Sequence, residues 1–321
     1  QLGQQIFSQG SQLLTLRYSR KQETKADNLG IAYLKSAGYD PRAMSTVLRS
    51  LANQNALEAR LMGSTTRVPE WASTHPDPAS RVGAALNKAG ANASGAVNRE
   101  TFLTGINGLL YGDDPKQGVV DGAKFIHPDL RLTFQAPQGY YLVNGTRAVT
   151  IGGQSGKGQF TTAAYSGDLD AYVRAQFTAL GQSNQMQLAP QQMERTTVNG
   201  LPAAYGVTRV AGQGGQQLDV VVFAYEMAGN RAYHFLTMSP AGGAGNFNAM
   251  FQSMRRITAD EAAAVRARKV QVVTVKAGDT VQSLASRMAY ADAPLDRFLV
   301  LNGLQANSTL QVGSKVKLVT Y

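Results

Sequence analysis

The spacing of apolar residues separates a helical first part of the chain from a strand-rich middle part. Through about residue 87 apolar positions recur with a helical period, as at Leu29 and Tyr33. Gly38-Tyr39-Asp40-Pro41 is typical of a turn, with Asp40 as the cap and Pro41 at the first position of a second helix. The sequence therefore predicts two helices joined by a tight turn.

From Leu130 onward the apolar period changes to two, which is typical of half-buried strands. The predicted strands cover residues 130–134, 148–151, 159–163, 203–210, 218–225 and 232–238. A helix is predicted over residues 168–180, a hairpin turn at Gly229-Asn230 and a closing helix over residues 247–256. Together these elements predict an α+β domain with a mainly antiparallel sheet.

A third pattern begins near Val270, after a charged helical connector over residues 259–269. It predicts a strand, two helices and a final strand, which is a small module of βααβ order. The predicted domains are residues 1–115, 116–260 and 261–321, and Gly112-Asp113-Asp114-Pro115 supplies turn chemistry at the first boundary. The predicted fold class is multidomain α+β.

Composition narrows the possible partners and chemistry. The chain of 321 residues has no cysteine, which excludes disulfides, thiolate metal sites and cysteine nucleophiles. The formal net charge is +10, but the basic residues are scattered and no nucleic-acid motif occurs, so we expect no nucleic-acid partner. A basic surface also suits an anionic cell envelope. No apolar run reaches the ~20 residues of a transmembrane helix. Because the chain begins at Gln1, we expect a processed or trimmed product.

Glu23 and Asp27 stand one turn apart in the first predicted helix, so both carboxylates share one face. Zinc peptidases built on two helices need such a pair, because one carboxylate ligates the metal and the other orients a histidine ligand. The alternative interpretation is a solvated helix face. The histidines are His75, His127 and His234, and no His-Glu-x-x-His motif occurs.

The first ~90 residues resemble the C-terminal part of the peptidase domain in family M48, which includes HtpX-like, CAAX-protease-like and periplasmic enzymes. The matching residues are Tyr18-Ser19-Arg20, Glu23, Ala26-Asp27, Gly30, Ala37-Gly38-Tyr39-Asp40-Pro41, Ser73-Thr74-His75-Pro76 and Arg81. Gly112-Asp113-Asp114-Pro115 and residues 125–130 resemble an extension of bacterial members. By this resemblance the fold is zincin-like, Glu23 is the third zinc ligand and Asp27 is its supporting partner. His75, also a candidate metal ligand, and Arg81 would then stabilise an oxyanion or occlude the site.

In that family His-Glu-x-x-His lies upstream of the glutamate helix, and it supplies the first two zinc ligands and the general base. We expect that it was trimmed, is unrecorded, or was lost in a natural pseudo-peptidase. Zinc on Glu23 alone would bind weakly, so this chain alone should not hydrolyse peptides. The resemblance implies a zinc metalloendopeptidase of the periplasm or cell envelope that acts on protein or peptide substrates in protein quality control.

The C-terminal residues resemble a LysM domain, which recognises N-acetylglucosamine glycans such as peptidoglycan. The matching residues are Gly278-Asp279-Thr280, Ser283-Leu284-Ala285, Leu301-Asn302-Gly303-Leu304 and Val312-Gly313-Ser314-Lys315. Gln282 stands where an aromatic residue is often found, and Asp279 is predicted to cap the following helix. Residues 270–319 are therefore the expected peptidoglycan-binding part.

Two other functions fit the same residues. The chain could be a non-catalytic peptidoglycan-associated binding or scaffold protein, with the LysM-like module as its working end. It could also be a chaperone or inhibitor-like subunit that uses the helical surface. His127 and His234 are interpreted as structural, and Trp71 as an anchor of its loop or a residue lining a cleft.

Overall fold

The computed structural model describes residues 20–61, 78–212, 215–227 and 230–321. These residues form two compact units. The sheet unit is the continuous stretch Asp113–Arg266, and the helical unit joins the described residues up to Gly112 with Ala267–Tyr321. In sequence, the sheet unit is thus an insertion within the helical unit. The predicted domain limits stay predictions, and the first and third predicted domains contribute to the same unit.

The helical unit starts with the predicted helices. They are α1 (Arg20–Ser36), α2 (Ala43–Leu61), α3 (Ala79–Ala89) and α4 (Arg99–Ile106). The first three pack around Ile31, Leu48 and Ala85, which are all buried. The end of the Met44 side chain on α2 packs against Gly30 of α1, where a Cβ would displace it.

The turn between α1 and α2 forms where the sequence predicts it. Gly38 has φ +76, and Asp40 Oδ1 accepts a hydrogen bond from the backbone N of Arg42 at 2.9 Å. The helix itself begins at Ala43, two residues after Pro41. The backbone of Tyr39 pairs with that of Ala96, which fixes the segment after α3 beside this turn.

The sheet unit contains two antiparallel sheets in its described residues. The first, in the order β1-β2-β3-β11, consists of β1 (Val119–Asp121), β2 (Lys124–His127), β3 (Leu132–Gln135) and β11 (Arg255–Arg256). The second has the order β4-β5-β6-β10-β9-β8-β7. Its strands are β4 (Tyr140–Asn144), β5 (Val149–Gly153), β6 (Gly156–Ala163), β7 (Gln192–Val198), β8 (Leu201–Ala211), β9 (Gln217–Met227) and β10 (Arg231–Pro240). The predicted antiparallel sheet is confirmed.

Both faces of the seven-stranded sheet are covered. Helix α5 (Leu169–Ser183) lies on one face, and its residues Tyr172 and Phe177 are buried there. On the other face, Phe134 and Phe251 pack within one aromatic core, with Phe251 supplied by α6 (Asn248–Ser253). The helix α6 is shorter than predicted, because residues 255–256 pair with β3 instead. Of the predicted hairpin turn, Gly229 lies outside the described residues.

The C-terminal module has the predicted βααβ order. After the short α7 (Ala259–Ala263) come β12 (Lys269–Thr274), α8 (Val281–Ala285), α9 (Pro294–Asn302) and β13 (Lys315–Thr320). The two strands are antiparallel, and Leu284, Phe298 and Leu318 are buried between them and the helices. The connector helix ends earlier than predicted, since residues 268–270 hydrogen-bond to residues 108–111. The multidomain α+β fold class is confirmed.

Candidate functional site

The carboxylates of Glu23 and Asp27 are buried on the inner face of α1. Glu23 is 7% exposed and Asp27 is 8% exposed. Ile31, one further turn along, continues the same face into the core between the helices. The alternative of a solvated helix face is therefore wrong, because both side chains lie inside the helical unit. Carboxylates buried to this extent need a cationic partner.

Arg81 supplies the cation from α3. Its Nε donates to Asp27 Oδ2 at 2.8 Å and its Nη2 donates to Asp27 Oδ1 at 2.6 Å, which is a bidentate pair. Its Nη1 lies 2.8 Å from Glu23 Oε2. Hydrogen bonding to the Asp27 carboxylate, together with the charges of Asp27 and Glu23, raises the pKa of Arg81 against the opposing effect of burial. We call Glu23, Asp27 and Arg81 the charged cluster.

The charged cluster joins two carboxylates to one guanidinium. Zinc is the cation that the sequence predicts at this site. A catalytic zinc site takes three protein ligands and leaves one position open. The described residues contain no group of three His, Cys, Asp or Glu side chains that could hold a metal ion. Both oxygens of Asp27 already accept hydrogen bonds from Arg81. The described residues alone therefore do not fit zinc.

His75, the remaining predicted site residue, lies with Ser73, Thr74 and Pro76 outside the described residues, and so does Trp71. The structure thus brings together three of the four predicted site residues, Glu23, Asp27 and Arg81. Their roles toward a metal stay predictions.

The other two histidines belong to the sheet unit. His234 on β10 is 3% exposed, and its Nδ1 lies 2.8 Å from the hydroxyl of Tyr172. Burial lowers the pKa of His234 to about 4. His127 Nδ1 accepts a hydrogen bond from the backbone N of Leu130 at 3.3 Å, and burial lowers its pKa as well. Both histidines are structural in this arrangement, as predicted.

The turn before α8 is the second candidate site, for a glycan. Residues 276–278 are exposed, and Gly278 has φ +88, which explains glycine at this position. The helix cap is Thr280, whose Oγ1 accepts from the backbone N of Ser283 at 3.0 Å. The prediction that Asp279 caps α8 is wrong, because Asp279 Oδ2 accepts from the backbone N of Lys276 and closes the turn instead.

Asn302 is a structural residue whose role the sequence did not reveal. Its Nδ2 donates to the carbonyls of Phe298 and Lys317, and its Oδ1 accepts from the backbone N of Lys317 at 2.7 Å. The side chain therefore links the end of α9 to β13. The Asn-Gly pair at the helix end was the signal for this position, since Gly303 has φ +64 and ends the helix.

Comparison with known proteins agrees with these elements. Residues 3–89 match the model of Peptidase family M48, and residues 273–319 match that of the LysM domain. The chain thus carries a stretch of the M48 peptidase domain near its start and a LysM domain near its end. Both resemblances predicted from the sequence are confirmed.

Curated relatives match part of the chain. The Beta-barrel assembly-enhancing protease of Yersinia pestis is 35% identical over 80 residues, which is 25% of this chain and 15% of that protein. The protein of the same name from Escherichia coli (strain K12) is 39% identical over 74 residues, 23% of this chain and 14% of that protein. The chain therefore spans a small fraction of the length of these relatives.

Solved structures match the chain with low identity. The cyanobacterial PsbP protein (CyanoP) of Synechocystis sp. PCC 6803 aligns with a TM-score of 0.34 and 11% identity, over 45% of this chain and 98% of that chain. A protein of Bacteroides thetaiotaomicron aligns with a TM-score of 0.33 and 11% identity, over 52% of this chain and 59% of that chain.

Within the described residues, no helix is long and apolar enough to cross a membrane.

Proposed function

We propose that this chain is part of a zinc-dependent metalloendopeptidase of the bacterial cell envelope that acts in protein quality control. The observation that carries the proposal is the burial of Glu23 and Asp27 on one helix face, inside the residues that match Peptidase family M48. A pair of buried carboxylates is costly, so its presence requires a partner or a ligand. Arg81 is such a partner for both carboxylates.

Each member of the charged cluster has a proposed role. Glu23 contributes one carboxylate to the metal, and Asp27 with Arg81 fixes the position of α1 against α3. His75 is proposed to border the metal. The 321 residues contain no His-Glu-x-x-His, so two histidine ligands and a general base would have to come from other residues. We therefore derive no step of peptide hydrolysis from this chain alone.

The LysM domain supports the proposed location. A domain of this kind suits a protein held near peptidoglycan, in the periplasm or at the cell envelope, and residues 270–319 are the proposed glycan-binding part. The substrates are proposed to be proteins or peptides of that compartment. The name of the curated relatives, which are proteases that enhance β-barrel assembly, supports this choice.

Zinc content and casein cleavage test the peptidase proposal, measured on this chain and on the complete product of its gene. Glu23→Gln keeps the shape of the side chain and removes its charge. Glu100→Gln is the matched control, because Glu100 is exposed on α4. We expect zinc and cleavage in the complete product, lost with Glu23→Gln and kept with Glu100→Gln. Absence of zinc from both proteins would overturn the proposal.

A second candidate function is glycan binding without catalysis. It is favoured by the exposed turn at residues 276–278 in a complete βααβ module, and by the lack of a three-ligand metal group in the described residues. Co-sedimentation with purified peptidoglycan, with and without a chelator, tests it. Binding that persists in the chelator and is weakened by Val312→Ala but not by Arg287→Ala would support this function. Both side chains are exposed, and only Val312 lies in the loop before β13.

A further inference from the structure

The first strand of the LysM module is paired on both edges. One edge of β12 pairs with β13, and the other meets residues 108–111. These residues belong to the helical segment, by which we mean the described residues of the helical unit up to Gly112. Leu110 stands opposite Lys269, the backbone N of Tyr111 donates to the carbonyl of Arg268 at 2.8 Å, and that of Val270 donates to Leu109 at 2.8 Å. The segment therefore covers a strand edge that would otherwise be open.

A side chain extends this pairing by one residue. Asn107 Oδ1 accepts a hydrogen bond from the backbone N of Val272 at 2.9 Å. Tyr111, at the other end of the segment, packs against the core of the LysM module. Burial raises the pKa of the Tyr111 hydroxyl, which agrees with its position inside this contact.

The second helix of the module contacts the end of α2. Arg60 Nη2 lies 2.8 Å from Asp296 Oδ1, and Arg297 Nη1 lies 4.0 Å from Glu58 Oε1. The Arg297 guanidinium also stacks on the ring of Tyr290, 4.2 Å from its centroid. The side chain of Arg297 is 17% exposed and also pairs with Asp292 of the module at 2.7 Å, so it lies between the carboxylates of Glu58 and Asp292.

A third contact involves α4. Arg99 Nη2 donates to the carbonyl of Lys315 at 2.7 Å, and Lys315 Nζ lies 2.9 Å from Glu100 Oε2. Three separate elements of the helical segment, namely α2, α4 and residues 107–111, thus hold the module. Along the chain, the helical segment and the LysM module are separated by the whole sheet unit, Asp113–Arg266. These contacts, and not a short linker, therefore keep the module beside the helical segment.

The contacts do not cover the two turns of the module that lie in the proposed glycan-binding part. Residues 276–278 and 311–313 remain exposed, and Val312 is 62% exposed. We propose that the LysM module is a fixed part of the helical unit, which orients bound glycan relative to the charged cluster and does not tether the protein by a flexible link. The statement about glycan rests on the proposed function; the fixed attachment stands on the contacts alone.

Distances between spin labels in the full chain test the fixed attachment. The protein has no native cysteine, so two labels can be placed without other changes. Asn53→Cys with Gln311→Cys spans the contact between α2 and the module, and both positions are exposed. Gln282→Cys with Gln311→Cys lies within the module and is the matched control. We expect the distance distribution across the contact to be as narrow as the control distribution.

A broad distribution for the Asn53–Gln311 pair beside a narrow one for the control pair would overturn the proposal. Adding Asn107→Ala and Arg60→Ala, which remove contacts between the module and the rest of the helical unit, should broaden the first distribution and leave the second unchanged. A first distribution that stays narrow in this variant would show that these contacts do not hold the module. Co-sedimentation with peptidoglycan is measured separately, so a docked module that binds no glycan refutes only the proposed function.

Discussion

Arg81 holds Asp27 by two parallel hydrogen bonds of 2.8 and 2.6 Å, although the residues are 54 positions apart in the chain. The same guanidinium lies 2.8 Å from Glu23. One side chain of α3 therefore compensates two buried carboxylates of α1. The geometry of this pairing fixes the rotation of α1, and with it the direction in which Glu23 is presented.

Replacing Arg81 by Ala should destabilise the helical unit strongly. The change removes the guanidinium that pairs with two buried carboxylates, and removing one partner of a buried ion pair costs about 3–5 kcal/mol. Arg81→Lys should recover only part of the loss, because an ammonium group cannot form the bidentate pair. Hydrogen exchange of α1, followed with increasing urea concentration, measures the effect.

Arg195→Ala is the matched control for Arg81→Ala. Arg195 also pairs with two carboxylates, those of Asp168 and Asp170, but all three side chains are more than 40% exposed. Such surface pairs contribute about 0–1 kcal/mol. Equal losses for Arg81→Ala and Arg195→Ala would contradict a stabilising role of the buried charged cluster.

The sheet unit should lose stability in acid through His234. Burial lowers the pKa of His234 to about 4 in the folded protein, from an ordinary value of 6.5. Above pH 6.5 the residue is neutral in both states, so its contribution is fully present there. As the pH falls from 6.5 toward 4, the unfolded state binds the proton first, and stability declines by about 3 kcal/mol in all.

The variant His234→Gln isolates this contribution. It removes the titrating ring and keeps a side chain that can hydrogen-bond to Tyr172. Hydrogen exchange of β9 and β10, followed from pH 7 to pH 4, should accelerate more in the wild type than in the variant. His127 titrates in both proteins and cancels from the difference. Identical pH profiles would show that His234 is not a neutral buried residue.

Most of the fold was predictable because its elements carry a regular apolar pattern. The long strands β8, β9 and β10 alternate or are apolar throughout, and α5 has the helical period. The strand β7 was not predicted, since its residues are mostly polar and exposed and its place at the sheet edge depends on pairing with β8. Short strands that depend on distant partners leave little local signal.

The candidate site was predictable only in part. Residue spacing placed Glu23 and Asp27 on one helix face, but spacing alone favours a solvated face over a buried one. Their burial depends on Arg81, which arrives from another helix. The attachment of the LysM module to residues 107–111 was also missed, because that pairing joins segments on either side of the sheet unit.

The Asn302→Ala variant should unfold the LysM module at lower temperature. The change removes three hydrogen bonds and leaves the backbone N–H and carbonyl of Lys317 without the amide that satisfies them. Such a loss costs about 1–3 kcal/mol at a partly buried site. Asn307→Ala is the control, because Asn307 is exposed in the following loop. A melting curve or exchange profile of β13 that is the same in both variants would contradict the structural role of Asn302.

The Gly95→Ala variant should destabilise the helical unit, whereas Gly105→Ala should not. A Cβ at Gly95 would overlap the backbone of Tyr39 and Asp40, so the pairing between Tyr39 and Ala96 would have to open. Forcing extra volume into such a contact costs about 1–3 kcal/mol. Gly105 lies inside α4 with open space around it, and alanine there should stabilise the helix by about 0.5–1 kcal/mol. Thermal unfolding of the two variants should therefore shift in opposite directions; shifts of the same sign would refute the close approach at Gly95.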